Sequence, residues 1–155
     1  ELGGSHYYYT HGYVGNSVPK VDTDVAKRTM DLLASATGNG LVRSCHDCSE
    51  GGLAVAAAEM SFAGGYGMEL DLSQVPVEGG IVRDDLVLFA ESNSRFVVEV
   101  EQLKQSEFEA AIEGVSYGCI GKVVENDMFT VLSLNGEKVM LIMKSYKILQ
   151  TNLKI

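Results

Sequence analysis

Cys45-His46-Asp47-Cys48-Ser49-Glu50-Gly51-Gly52 gathers two thiols, an imidazole, two carboxylates, a hydroxyl and a pair of glycines in one short run. Several chemistries compete for it. The C-x-x-C spacing suits a redox pair that opens a helix, or half of a zinc site. Structural zinc takes four ligands, and only Cys119, His6 and His11 remain to complete the set, at no usual spacing. Free cysteines of this kind are commonly small buried hydrophobes. His46, Asp47 and Ser49 invite a triad, but neighbours on a strand point to opposite faces, so His46 and Asp47 should not relay to one another. The nucleophile-elbow spacing G-x-S-x-G is missing. Gly118-Cys119-Ile120-Gly121-Lys122-Val123 is no P-loop, lacking both the spacing and the Ser or Thr that meets magnesium.

What remains is a strand, then an acid and two glycines, then a helix. Backbone N–H groups at such a turn can approach a phosphate closely. Asp47, at the strand end, can hold a hydrated Mg²⁺ through one or two carboxylate oxygens. The competing expectation makes Asp47 or Ser49 a helix cap, with Gly51 and Gly52 allowing close packing. A second polar break, Glu91-Ser92-Asn93-Ser94-Arg95, follows an apolar run and precedes another strand. Two strand-end loops can meet on one edge of a sheet, where α/β ligands usually bind. A purely structural loop is the alternative there, and Gly3-Gly4-Ser5 alone says little about phosphate.

Residues 1–20, rich in Gly, Tyr and His, show no helical period and read as a loop or linker ending near Pro19. Asp22 or Thr23 caps a helix over 24–37, with Val25, Met30, Leu32, Leu33 and Ala36 as its apolar face. A short strand over 41–45 leads into the chemical turn. A small-residue buried helix over 53–63 follows, with alanine-grade propensity. Alternation predicts a strand over 68–72, and 84–90 leans to helix. A strand spans 95–100. An amphipathic helix over 103–112 turns Leu103, Phe108, Ala111 and Ile112 inward. Strands over 117–124, 128–134 and 139–143 close the pattern, the last two joined by a two-residue hairpin at Asn135-Gly136. The fold class is therefore α/β, a mixed sheet with helices packed on it, in a domain over 21–145 followed by a tail over 146–155.

At 155 residues the chain is one domain, or one and a fragment, and folding buries roughly 70% of its unfolded surface. Hydrophobic residues at 46% against 21% charged describe a globular chain, not a disordered one. A net charge of −9 leaves no basic stripe to release phosphate counterions, which argues against nucleic acid as a partner. No apolar run approaches the roughly 18 residues of a membrane span. Three cysteines are poor arithmetic for a disulfide framework and favour a reducing cytoplasm. Glu1-Leu2-Gly3-Gly4-Ser5 reads as the inside of a longer polypeptide.

Taken together, residues 1–5, the stretch Ser44 to Ala56 (SCHDCSEGGLAVA) with Ala58-Glu59-Met60, Leu88 to Ser92 (LFAES) and Ser94-Arg95-Phe96 resemble the phosphoribosylformylglycinamidine synthase family. The likeness is to the C-terminal domain of the second half of its synthetase subunit (subunit II), in the aminoimidazole ribonucleotide synthetase-like superfamily. It spans nearly the whole chain and is weakest over the last dozen residues. The H-D-x-S-E-G-G-L-A run is its most specific part, since sister families carry different residues there. Cys48 departs from it, standing where the family usually has an aliphatic residue.

The resemblance implies a ligase of purine biosynthesis. ATP activates the formamide oxygen of formylglycinamide ribonucleotide, through an iminophosphate, and glutamine-derived ammonia displaces phosphate to give the amidine. It implies ATP and Mg²⁺ as cofactors. Its implied partners are an upstream ATP-binding-type domain of the same chain, a glutaminase subunit and a small accessory subunit. The family's catalytic histidines lie in the first half, so no catalytic residue is expected in this chain. In the first-half copy the positions matching Asp47 and Glu91-Ser92-Asn93 bind Mg²⁺ and substrate. By that symmetry Asp47, Gly51, Gly52, Glu91, Ser92 and Asn93 line an auxiliary nucleotide site here, with Asp47 holding the metal. The alternatives are a non-catalytic scaffold domain, or the equivalent domain of a sister synthetase.

Overall fold

In the computed structural model, which describes residues 1–142, Ser5 starts the first element where the composition predicts only loop. Its hydroxyl donates to the Leu2 carbonyl at 2.7 Å and accepts from the Tyr8 N–H at 3.2 Å, capping α1 (His6–Thr10). Five residues are too few to show a helical period. Beyond α1 the chain doubles back, and the Gly3 and Gly4 N–H groups donate to the Ser17 and Val14 carbonyls.

The chain divides into two compact units. The first comprises 1–56 and 88–116, and the second, among the described residues, 57–87 and 117–142.

In the first unit, Asp22 caps α2 (Thr23–Gly38) by accepting from the Asp24 and Val25 N–H groups at 3.1 and 3.0 Å. The covered stripe of α2 runs through Ala26, Leu33 and Ala36. Val25 and Met30, expected inside, lie on its exposed flanks because that stripe is narrower than the apolar run in the sequence. β1 (Ser44–Asp47) begins three residues later than the apolar pattern suggests. Its limits are set by antiparallel pairing with a later strand, while Leu41 is buried ahead of it. The turn after β1 leads into α3 (Gly52–Gly64), whose first residues complete this part of the unit.

The second unit takes up the rest of α3, with Ala57 fully buried. β2 (Gly67–Asp71) buries Met68 and Leu70 and exposes Glu69, the expected alternation. Leu72 is 1% exposed in a 3₁₀ turn held by Asp71, whose carboxylate accepts from the Ser73 N–H and hydroxyl. α4 (Asp84–Phe89) is helix, as its pattern suggests.

The chain then returns to the first unit. β3 (Phe96–Glu99) pairs antiparallel with β1, Asp47 opposite Phe96 and Ser44 opposite Glu99. A 3₁₀ turn (Gln102–Lys104) precedes α5 (Gln105–Ala111), where Ile112 is buried but Leu103 is 98% exposed. Leu103 falls in the 3₁₀ turn, whose three-residue period rotates it off the inward face of the α-helix.

The second unit closes with β4 (Gly121–Val124), β5 (Met128–Leu132) and β6 (Lys138–Ile142). They form a sheet in the order β4-β2-β5-β6, parallel between β2 and β5 and antiparallel elsewhere. Residues 117–120, expected in a strand, stand outside it. Five residues, 133–137, join β5 to β6 where a two-residue hairpin is expected. The Gly136 N–H donates to the Ser133 carbonyl, the Ser133 N–H to the Glu137 carbonyl, and Gly136 takes φ +86°. The expected strand end at Met143 and the tail over 146–155 lie outside the described residues. The architecture is mixed α/β.

Candidate functional site

β1 and β3 carry both chemical breaks in the first unit, so their ends lie side by side. Two hydrogen bonds tie the breaks together. The Cys48 N–H donates to the Arg95 carbonyl at 2.8 Å, and the Gly51 N–H to Glu91 Oε1 at 2.9 Å. Arg95 fixes the second break from within, its guanidinium donating to the Ala90 and Ser92 carbonyls on either side of Glu91.

Gly51 and Gly52 have φ of +78° and +62°, the left-handed region that favours glycine. A Cβ on Gly52 would run into the Ala90 carbonyl oxygen and come within 2.8 Å of that of Leu88. One on Gly51 would meet the Val55 side chain. The turn therefore presses against the second break with backbone on backbone at Gly52.

Asp47 faces solvent. Its carboxylate accepts from the Ser49 hydroxyl, and this bond more than any other influence holds its pKa below the ordinary aspartate value, with the nearby His46 adding to the effect. It is ionised at neutral pH. Neither Asp47 nor Ser49 caps α3 with its side chain among the described residues. The carboxylate that meets the turn is that of Glu91.

His46 corrects one expectation. Although burial alternates along all of β1, the His46 Nδ1 lies 2.7 Å from the Asp47 carbonyl oxygen and 3.6 Å from Asp47 Oδ1. The cluster is centred on the acid, with histidine on one carboxylate oxygen and serine on the other. The Ser49 hydroxyl donates to the acid, which is not the serine-to-histidine order of a nucleophilic triad. Burial first, and then the Asp47 charge, raise the Cys45 thiol; burial also raises Cys48 despite the neighbouring Arg95. Raised thiols are the opposite of a reactive C-x-x-C.

Glu91 reaches further than its spacing suggests, for Oε1 also accepts from the His6 N–H at 3.0 Å. Ser92 and Asn93 make no side-chain hydrogen bond among the described residues, and Asn93 is exposed. Ser94 adopts φ +60°, one of the strained backbone positions that gather at binding loops. Sequence reasoning missed His6 and Arg95. The signal for the first was Ser5 standing ahead of a run of good ring-bearing residues as an N-cap.

Among the described residues no group of three or more His, Cys, Asp or Glu converges to hold a metal ion. Magnesium arriving with nucleotide phosphates needs only one or two protein carboxylates, and Asp47 offers one, ionised and open to solvent.

The family described as "AIR synthase related protein, C-terminal domain" matches residues 3–133. Phosphoribosylformylglycinamidine synthase subunit PurL of Deinococcus radiodurans is 39% identical over 131 residues, 84% of this chain. The subunit of the same name from Thermococcus sibiricus is 37% identical over 125 residues, 81% of this chain. The chain spans 17% of the length of each. Among solved structures, T. maritima PurL complexed with FGAR superposes at a TM-score of 0.75 with 20% identity, over 83% of this chain and 22% of that one. T. maritima PurL complexed with ATP gives 0.69 with 22% identity, over 76% and 21%. PurLQS from Thermotoga maritima gives 0.75 with 21% identity, over 83% and 22%. At these identities the structural likeness shows the fold.

Proposed function

Since the chain belongs to the AIR synthase related protein C-terminal domain family, we propose that it serves as such a domain of a phosphoribosylformylglycinamidine synthase, in the second half of the synthetase subunit. The whole enzyme forms an amidine from formylglycinamide ribonucleotide, ATP and glutamine-derived ammonia. The names of the two relatives support this reading, and the ATP-bound neighbour supports a nucleotide as the cofactor.

In this proposal Asp47, Gly51, Gly52, Glu91, Ser92 and Asn93 belong to an auxiliary nucleotide site, and no residue of the chain is catalytic. Asp47 would hold Mg²⁺, which screens phosphate charge when bound. The observation that carries the reading is the Gly51 to Glu91 hydrogen bond, which joins both breaks beside an exposed, ionised aspartate. Residues 1–20 lead in from an upstream ATP-binding-type domain, 21–145 form the domain proper and 146–155 its tail. A glutaminase subunit and a small accessory subunit complete the assembly, a reading supported by the PurLQS neighbour. The cytoplasm is the proposed compartment. No helix among the described residues is long and apolar enough to cross a membrane.

The test is an assay of the longer protein that carries this domain. It should convert formylglycinamide ribonucleotide to the amidine with ATP, magnesium and ammonium, and no conversion would contradict the proposal.

A further inference from the structure

Glu91 sits in the middle of the site, yet its carboxylate is already engaged. One oxygen, Oε1, accepts from the Gly51 N–H at 2.9 Å and from the His6 N–H at 3.0 Å, with His6 Nδ1 3.6 Å away. Its side chain is only 17% exposed. The backbone on both sides of it is fixed by Arg95, through the Ala90 and Ser92 carbonyls. Two residues earlier, Phe89 is stacked flat against Tyr7, ring centroids 4.7 Å apart and planes 2° apart. The carboxylate is therefore aimed inward, at the turn and at the start of α1, by contacts on three sides.

We propose that Glu91 is a positioning residue: it holds the Asp47–Gly52 turn and the N-terminal segment in one arrangement and touches neither nucleotide nor metal. This rests on the reading of that turn as the nucleotide-facing site. Two consequences follow from the geometry. The Gly51 N–H is spent on Glu91, so an incoming phosphate has to use other donors, and the unengaged side chains of Ser92 and Asn93 are the ones its own loop presents. And because both donors are backbone N–H groups, a neutral amide oxygen can replace the carboxylate, whereas a metal ligand or a charged substrate contact cannot be replaced in that way.

The experiment uses the intact protein carrying this domain, as wild type, Glu91→Gln and Glu91→Ala. Amide hydrogen exchange is read at His6 and Gly51, and magnesium-dependent ADP affinity in parallel. Glu91→Ala should speed exchange at both amides together and weaken ADP by about tenfold. Glu91→Gln should keep both amides protected and bind ADP within about threefold of wild type. If Glu91→Gln keeps its amides protected but binds ADP as poorly as Glu91→Ala, Glu91 is a charged ligand and the proposal is overturned. Unchanged exchange at both amides in Glu91→Ala overturns it as well. Should the alanine variant fail to fold, the glutamine variant decides alone. A wild-type protein that binds no ADP sinks the nucleotide reading of the turn, while the exchange measurement still decides whether Glu91 holds the backbone.

Discussion

Asp47 and Ser49 form a bond whose effect can be titrated. The Ser49 hydroxyl stabilises the ionised carboxylate, so the folded-state pKa lies below the unfolded value. A depressed acid contributes stability that is present above its unfolded pKa and lost as pH falls through its folded pKa. The charge offered to a metal therefore persists at every pH above the ordinary aspartate range. Ser49→Ala should raise the Asp47 midpoint towards the unperturbed value of roughly 3.9, followed by carboxyl NMR shifts. A midpoint that does not move would show that the hydroxyl is irrelevant to it. The paired glycines give a second contrast. Both sit at positive φ, which costs a non-glycine residue about 1–2 kcal/mol. At Gly52 the added Cβ also meets backbone carbonyls that cannot yield, while at Gly51 it meets the Val55 side chain, whose methyl can rotate away although its Cβ, 2.9 Å off, must shift slightly. Gly52→Ala should therefore destabilise the domain clearly more than Gly51→Ala in denaturant titrations. Equal costs would mean that the close approach at Gly52 is not tight.

Among the elements, α1 depends most on a single side chain. Ser5 is 2% exposed and serves both the Leu2 carbonyl and the Tyr8 N–H. Ser5→Ala should cost about 1 kcal/mol and increase exchange at Tyr8, whereas no change in either would remove the cap from the account. This element was illegible because a five-residue helix has no period to detect, and its stability comes from its cap and from Tyr7 lying on Phe89, a partner far away in the chain. The longer elements were legible: the Asp22 cap, the alternation in β2 and the alanine-rich α3 all carry their signal locally. β1 slid by three residues because strand limits follow the partner, and pairing with β3 is not written in either segment alone. The candidate site divides in the same way. The acid–glycine–glycine turn and the second break were visible as residue types, but the union of Gly51 with Glu91 needed the register of β1 on β3. The approach of His46 to Asp47 was hidden by the assumption that neighbours on a strand, which do alternate here, cannot meet.

On the scale of the whole molecule, the chain spans 17% of the length of the curated relatives it matches. Among the described residues it holds an ionised acid bonded to the Ser49 hydroxyl, a glycine turn and two polar side chains without a hydrogen bond. The 155-residue chain on its own should therefore form no amidine from formylglycinamide ribonucleotide, ATP and ammonium, and turnover by the purified chain would overturn the assignment of catalysis elsewhere. The proposed role of the turn after β1 is to serve a nucleotide with its magnesium. Calorimetric titration of the longer protein with ADP, with and without magnesium, in wild type and Asp47→Asn, tests it most directly. Asn keeps the size of Asp47 and removes its charge. In Asp47→Asn the magnesium-dependent part of the affinity should fall by about tenfold or more, while the denaturation midpoint stays close to that of the wild type, since the carboxylate is exposed and caps no helix. Magnesium-dependent affinity identical in the two proteins would contradict it and leave Asp47 as a structural residue at the end of a strand.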